Sequence, residues 1–403
     1  MMANSEILRG DEGYRTRREA NFELLRVIAM GMVIALHYLA HGGLLPVMGE
    51  ALTSDTVTGA ILESLCIASV NIWVLISGYF LSQTGVSLRR LLRVILEVLF
   101  YTVLITGVMF AAGSSSGTYQ GAYGLLQEYC FPISSEHYWF ATAYVFMYLF
   151  APILNKGVLG LSRKQLKYTI IGLLLWFSVI KSVVPVAFPI DDYGYGFGWF
   201  LCLYLIAAYI RKYEVSFLNR ARKGAILYLV SSAVILLVTL AVHAMNLTTG
   251  HLGSWYGTPF HYNYLPTLGA ALGLFTVFRH IRIREGWLAR AARFLAPFTF
   301  GVYLLHEHHE IRDRWLFWLE DFIGPVPKQQ PLMLILHMIT SVIIVFLAGC
   351  MVDFIRATLF AWLIRVTKDT PPIRRLKQLD ASIHKNRLKE GWTEKKEDEE
   401  NKI

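Results

Sequence analysis

The sequence has few charged residues, which make up 17% of its 403 positions. Soluble globular domains carry about 25%. Only four cysteines are present, and three of them (Cys66, Cys202 and Cys350) lie in apolar runs. No disulfide framework is therefore expected. With 55% hydrophobic residues, the composition excludes a disordered chain and argues against a soluble multi-domain enzyme.

Long apolar segments, by contrast, recur along the whole chain. A bilayer-spanning helix needs about 20 apolar residues, and an isolated span must satisfy its own backbone hydrogen bonds. The predicted fold class is therefore an all-α polytopic membrane bundle of about ten transmembrane helices. The predicted spans cover about 22–42, 58–83, 91–112, 137–156, 165–187, 197–211, 224–245, 261–280, 294–310 and 331–357.

The distribution of positive charge predicts the orientation. Arginine and lysine concentrate in the loops after the second, fourth, sixth and eighth spans, whereas the opposite loops hold only Arg312, Arg314 and Lys328. Positive loops stay in the cytoplasm, so both termini are predicted to be cytoplasmic. We divide the chain into a cytoplasmic N-terminal segment over 1–21, a transmembrane domain over 22–357 and a polar cytoplasmic tail over 358–403. We expect that tail to be solvated.

The first span carries two ionisable side chains, Arg26 and His37. They are eleven residues apart, which is close to three helical turns and about 16 Å along the axis. Both therefore lie on one face, with a cation at the inner end and an imidazole near the outer leaflet. Ionisable groups inside a membrane are candidates for function. The alternatives are an anchoring arginine that reaches the interface and a histidine held by a neighbouring helix.

Glu63 in the second span lies at about the same depth as His37 if the two spans are antiparallel. A carboxylate beside an imidazole raises its basicity, as a general base requires. We therefore predict His37 and Glu63 as catalytic residues. Equal depth does not show that their two faces meet.

Three arginines, Arg89, Arg90 and Arg93, stand at the cytoplasmic start of the third span. Guanidinium groups bind phosphate through paired hydrogen bonds, so these residues and Arg26 are the predicted binding residues for a phosphate-rich ligand. The alternative is an ordinary basic loop end, with Arg93 paired to Glu97 one turn away.

A run of histidine and glutamate ends the ninth span, from His306 to Glu310. Such a composition could bind zinc, but the run lacks the spacing of a known metal motif and has no cysteine nearby. No metal site is predicted.

Five segments resemble, in order, the signature motifs of the acyltransferase 3 family of integral-membrane acyltransferases. One departure is Glu23, where the family usually has aspartate. The matching segments are FELLR at 22–26 with His37 downstream, NIWVLISGYFL at 71–81, RLLR at 90–93, HYWF at 137–140 and TFGVYLLH at 299–306.

The resemblance implies transfer of an acyl group, usually acetyl from acetyl-CoA, to a hydroxyl of a carbohydrate. By position, His37 would be the essential histidine, as general base or as acyl carrier, and Arg26, Arg90 and Arg93 would serve the acyl donor. The implied partners are a carbohydrate acceptor and membrane lipid, with no nucleic acid; the acyl group would pass either directly to the acceptor or to a separate extracytoplasmic acyl-acceptor protein. The implied location is a bacterial cytoplasmic membrane.

Other functions fit the same spans. A transporter also combines many helices with buried ionisable groups, although no inverted repeat is evident. A polysaccharide-export component without catalysis of its own is a further alternative. Within the enzymes, transfer to an amine and transfer of succinyl remain open, because sequence does not reveal pocket volume.

Overall fold

The computed structural model describes residues 19–84, 86–114, 132–133, 137–185, 190 and 192–382. Within these residues helix is the only regular structure, and the predicted all-α bundle is confirmed. The main helices are α1 (Ala20–His41), α2 (Ser54–Cys66), α3 (Ser69–Thr84), α4 (Leu88–Ala111), α5 (Trp139–Gly160), α6 (Arg163–Leu174), α7 (Phe197–Lys212), α8 (Ala221–Thr249), α9 (Leu265–His280), α10 (Trp287–Leu295), α11 (Thr299–His306), α12 (Trp315–Ile323) and α13 (Pro331–Thr367).

Every predicted span overlaps one of these helices or a consecutive pair. In the described part of the chain, eight spans are long and apolar enough to cross a membrane, counting α2 with α3, α6 with its helical continuation to Val183, and α10 with α11 as one span each. The remaining two, α7 and α9, have 16 residues each, which is about 24 Å of helix. The chain is thus an integral membrane protein, while ten crossings and two cytoplasmic termini stay predictions.

The helix α1 occupies the centre of the bundle and packs against α2, α3, α9, α10, α11 and α13. Its buried residues include Phe22, Leu25, Ile34 and Leu39. Because both sides of α1 are covered by other helices, its polar side chains face protein rather than lipid. This position brings His37 within reach of several other elements.

A buried charged cluster joins the long helix α13 to α4. Arg356 forms paired hydrogen bonds with Asp353, at 2.7 and 2.8 Å, and lies 3.0 Å from Glu97. The Tyr101 hydroxyl donates to Asp353 at 2.9 Å. The Asp353 carboxylate occupies the space that a Cβ atom on Gly301 of α11 would need. The glycine of the 299–306 motif therefore allows α11 to approach α13.

The described part of the predicted tail is mostly exposed, apart from Asp380, which is buried. The last membrane helix continues to Thr367, and a further helix covers 371–382. Asp380 of this helix accepts hydrogen bonds from Ser87 Oγ at 2.8 Å, Leu88 N at 2.7 Å and Arg89 Nε at 2.8 Å. Burial opposes ionisation, but these bonds hold the pKa of Asp380 below its usual value. The tail is thus anchored to the start of α4, and its lysine–glutamate end lies outside the described residues.

Candidate active site

The His37 imidazole, in the last turns of α1, meets the C-terminal end of α11. Its Nδ1 lies 3.0 Å from His306 Nε2 and 3.2 Å from Glu307 Oε1. His306 is the last residue of α11, and Glu307 caps that helix. His37 and His306, which are 269 residues apart in sequence, therefore form one cluster with Glu307 inside the bundle.

The hydrogen bonds of His306 determine which nitrogen of His37 is available for chemistry. His306 Nδ1 lies 2.6 Å from the carbonyl oxygen of Val302, one turn back in α11. A carbonyl only accepts, so His306 carries its proton on Nδ1 and offers a lone pair at Nε2. His37 Nδ1 must then donate to His306. The remaining nitrogen of neutral His37, Nε2, is left with a free lone pair, as a base or nucleophile requires.

Glu307 lies beside the hydrogen bond between His37 and His306, which we call the relay. Its Oε1 is at ion-pair distance from His37 Nδ1 but outside hydrogen-bond geometry, because the His37 proton is directed to His306. Burial raises the pKa of the Glu307 carboxyl, and the neighbouring His306, His41 and Arg312 oppose that rise. When ionised, the carboxylate would stabilise a positive charge on His37.

A narrow crevice runs along α1 below His37. Met30 and Val33 line it together with His37, and they continue the helix face that carries Arg26. The free space is only about 30 Å³, room for one or two water molecules. A longer ligand must therefore displace side chains. The other lining residues, mostly aromatic, are Val70, Trp73, Trp139, Phe140, Tyr262, Phe300 and Tyr303.

The motif residues around the crevice hold its walls in place. The Tyr138 hydroxyl donates to the carbonyl of Leu304 at 2.8 Å, which ties the start of α5 to α11. Asn71 donates to the carbonyl of Tyr262 at 2.7 Å and accepts from the indole of Trp199 at 2.9 Å. These buried polar groups are satisfied by partners on other elements, so each one fixes two elements relative to each other.

The structure does not bring Glu63 to the His37 imidazole; the carboxylate beside that ring is Glu307. Glu63 is buried, and one of its oxygens has no hydrogen-bond partner. Its electrostatic effect reaches Tyr262, one of the residues that line the crevice. The helices α1 and α2 do pack together, but depth in the membrane does not determine helix rotation. Glu63 thus borders the crevice wall rather than the imidazole.

The four predicted arginines do not converge on one contact. Arg26 pairs with Glu23 at 2.7 Å, and Arg89 pairs with Asp380 at 2.8 Å. Arg90 and Arg93 are exposed, and neither forms an ion pair with any residue that the structure describes. Glu97, the alternative partner of Arg93, instead lies 3.0 Å from Arg356.

Sequence reasoning missed the partners of His37. It named the run from His306 to Glu310 only as a weak metal candidate. The donor atoms of His37, His306 and Glu307 lie within 4.8 Å of one another, so they could hold a divalent ion such as zinc. The same donors are also accounted for by the hydrogen bonds above. The sequence did contain a signal for a role of His306 in the site, since His306 is the last residue of the fifth motif.

Three more histidines flank the site. His137 stacks on His309 with ring centroids 3.9 Å apart, and its ring lies 4.6 Å from that of His308. Burial lowers the pKa of His137 to about 3, with His309 and Arg312 lowering it further. Burial also lowers the pKa of His308 to about 3. These two rings are therefore neutral at physiological pH and add no charge beside His37.

Comparison with known proteins gives one match. The family model of acyltransferase 3, described as an acyltransferase domain, matches residues 19–353. No curated protein and no solved structure matches the chain.

Proposed function

The chain belongs to the acyltransferase 3 family and is an integral-membrane acyltransferase, and we propose that it transfers acetyl from cytosolic acetyl-CoA to a hydroxyl of a cell-surface or lipid-linked glycan. We place it in a bacterial cytoplasmic membrane, where it acts directly on the glycan or through a separate extracytoplasmic carrier protein. The observation that carries this proposal is the cluster that leaves Nε2 of His37 as the basic nitrogen, together with the crevice that His37 lines with Met30, one helical turn from Arg26.

The crevice supports a donor that enters from the Arg26 end. From Arg26 to His37 the rise is about 16 Å. A pantetheine arm is long, thin and largely apolar, and it suits aromatic and aliphatic walls. The nucleotide phosphates would stay at the cytoplasmic surface, where Arg26, Arg89, Arg90 and Arg93 provide positive charge. Since the free space is about 30 Å³, the arm must push aside flexible side chains such as Met30.

In the proposed reaction His37 acts as a general base. Its Nε2 takes the proton of the acceptor hydroxyl as that oxygen attacks the thioester carbonyl. The carbon–sulfur bond breaks, and the CoA thiolate leaves with the proton that His37 had taken. The products are the acetyl ester and CoA thiol, and His37 returns to its neutral form.

The neighbours of His37 have positioning roles in this scheme. His306 accepts a hydrogen bond from the N–H at Nδ1 of His37, which keeps the proton on Nδ1 and leaves Nε2 as the basic nitrogen. Glu307 stabilises the transient imidazolium. We therefore assign to Glu307 the role that the sequence suggested for Glu63.

The first test is release of CoA from acetyl-CoA by purified protein in nanodiscs. We expect slow CoA release by the wild type and none above background by His37→Ala. His251→Ala is the matched control, because His251 is an exposed histidine two residues after the end of α8. It should behave as the wild type.

The two chemical routes and the competing functions give different outcomes. Acid-quenched protein that carries one acetyl group in the wild type, but none in His37→Ala, would replace the general base with an acyl-histidine intermediate. No CoA release and no CoA binding by folded protein would contradict the proposal and favour a transporter or an export component.

A further inference from the structure

A second cavity opens at the end of α1 opposite Arg26. It is larger than the crevice, about 450 Å³, which lies within the range of small-molecule sites. We call it the outer cleft. Its lining combines polar and apolar side chains: His41, Gly42, Leu316, Phe317, Glu320, Pro325, Val326 and Lys328.

The wall of the outer cleft is fixed at three points, one from each of three helices. Glu320 of α12 accepts from the backbone N–H of Val326 at 3.0 Å. His337 of α13 lies 3.1 Å from the carbonyl of Gly324, and its other ring nitrogen accepts from Tyr38 at 2.7 Å. Asp55 of α2 accepts from the backbone N–H of Gln329 at 2.7 Å. Hydrogen bonds from three helices therefore hold the segment 324–329 in place as a wall of the cleft.

The outer cleft lies one helical turn from the active site. His41 lines it and follows His37 by four residues on α1, with the two rings 6.3 Å apart. His41 Nδ1 is 3.5 Å from Asp313. A group held in the cleft thus needs to extend by about one turn, near 6 Å, to bring a hydroxyl to the free nitrogen of His37.

The chemistry of the lining fits a polyhydroxylated ligand. Phe317 is 62% exposed and presents a ring face on which a sugar can pack. The Glu320 carboxylate accepts hydrogen bonds from hydroxyl groups, and the Lys328 ammonium donates to them. His41 can do either. Charges of both signs beside an exposed aromatic ring favour a hydroxyl-rich ring over a fatty chain.

We propose that the outer cleft binds the carbohydrate acceptor and presents its hydroxyl to His37. The inference rests on the proposed function, since it names the site of that reaction's second substrate. By the positive-inside orientation the cleft faces away from the cytoplasm, so donor and acceptor reach His37 from opposite ends of α1. The proposal thus places the two substrates on opposite sides of the membrane.

The test measures donor turnover and acceptor transfer separately. Donor turnover is CoA release by purified protein without added acceptor. Transfer is the alkali-labile acetyl on total surface carbohydrate of the source cells, from which the gene has been deleted and restored as wild type or variant. The variants are Glu320→Gln and Phe317→Ala, and the matched controls on the same helix are Asp321→Asn and Trp318→Ala. Glutamine keeps a carbonyl oxygen for the Val326 bond.

We expect Glu320→Gln and Phe317→Ala to lower surface acetyl at least fivefold while CoA release stays within twofold of the wild type. The controls should leave both unchanged. Unchanged surface acetyl in both cleft variants would overturn the inference, and so would an equal loss of both activities, since the cleft would then serve the donor chemistry. If deletion removes no surface acetyl and the wild type releases no CoA, the proposed function itself fails.

Discussion

Replacing Glu307 by glutamine tests the electrostatic part of the site most directly. The substitution Glu307→Gln removes one charge and keeps the size and one oxygen of the side chain. In the structure this oxygen lies 3.2 Å from His37 Nδ1. The proposed step creates an imidazolium at His37, so the lost charge affects the transition state more than the ground state.

The size of the effect follows from the distance. For unit charges 3.2 Å apart, an effective dielectric of about 20 gives about 5 kcal/mol. The His37 and Glu307 side chains are 23% and 12% exposed, so solvent screens part of this energy, and the glutamine dipole retains another part. A loss of about 2–3 kcal/mol remains, which corresponds to about 30- to 150-fold in kcat.

The assay is steady-state CoA release in nanodiscs over a range of acetyl-CoA, so that kcat and KM are obtained separately. We expect KM to stay within about twofold, because Glu307 does not touch the donor path. Asp321→Asn, an exposed carboxylate on α12, is the control. Glu63→Gln should lower kcat by less than fivefold.

A kcat for Glu307→Gln within threefold of the wild type would refute the reasoning, since the carboxyl would then be uncharged or unpaired during the reaction. A larger loss for Glu63→Gln than for Glu307→Gln would restore the pair that the sequence suggested. Both comparisons require variants whose thermal midpoint equals that of the wild type, so that a loss of kcat does not come from unfolding.

Four further predictions test separate contacts. His306→Ala should lower kcat at least tenfold with little change in KM, because His37 loses the acceptor that fixes its proton; an unchanged kcat would exclude the relay. Val33→Trp should raise KM for acetyl-CoA at least tenfold by blocking the crevice, whereas Ile28→Trp, on a face of α1 that is 37% exposed, should not; equal effects would exclude this path. Treatment with 1,10-phenanthroline should leave CoA release unchanged, and metal analysis should find no stoichiometric ion; a loss restored by zinc would replace the hydrogen-bonded cluster with a metal site. Gly301→Ala should destabilise the protein by about 1–3 kcal/mol, seen as a lower thermal midpoint, because its methyl group meets the Asp353 carboxylate; a wild-type midpoint would show that α11 can move away freely.

Much of the architecture was predictable because the bilayer imposes one-dimensional rules. Length and apolarity alone located every helical span, from Ala20–His41 to Pro331–Thr367. These rules do not reveal contacts between distant segments, such as the hydrogen bonds that Asp380 of the polar tail accepts from Ser87 and Arg89. Capping of one helix end by a distant carboxylate leaves no periodic signal in the sequence.

The sequence by itself determined the family and the membrane helices, and it singled out His37 as a candidate, because each depends on residue type and on spacing within one segment. The face shared by Arg26 and His37 likewise follows from helical geometry alone. The tertiary structure decided which side chains meet His37. The identity of these neighbours depends on the rotation of α2 and on the close approach of α11 to α13. The approach is possible because Gly301 has no Cβ to meet the Asp353 carboxylate. Rotation and approach come from packing between segments far apart in sequence, so His306 and Glu307, and not Glu63, became the neighbours of the imidazole.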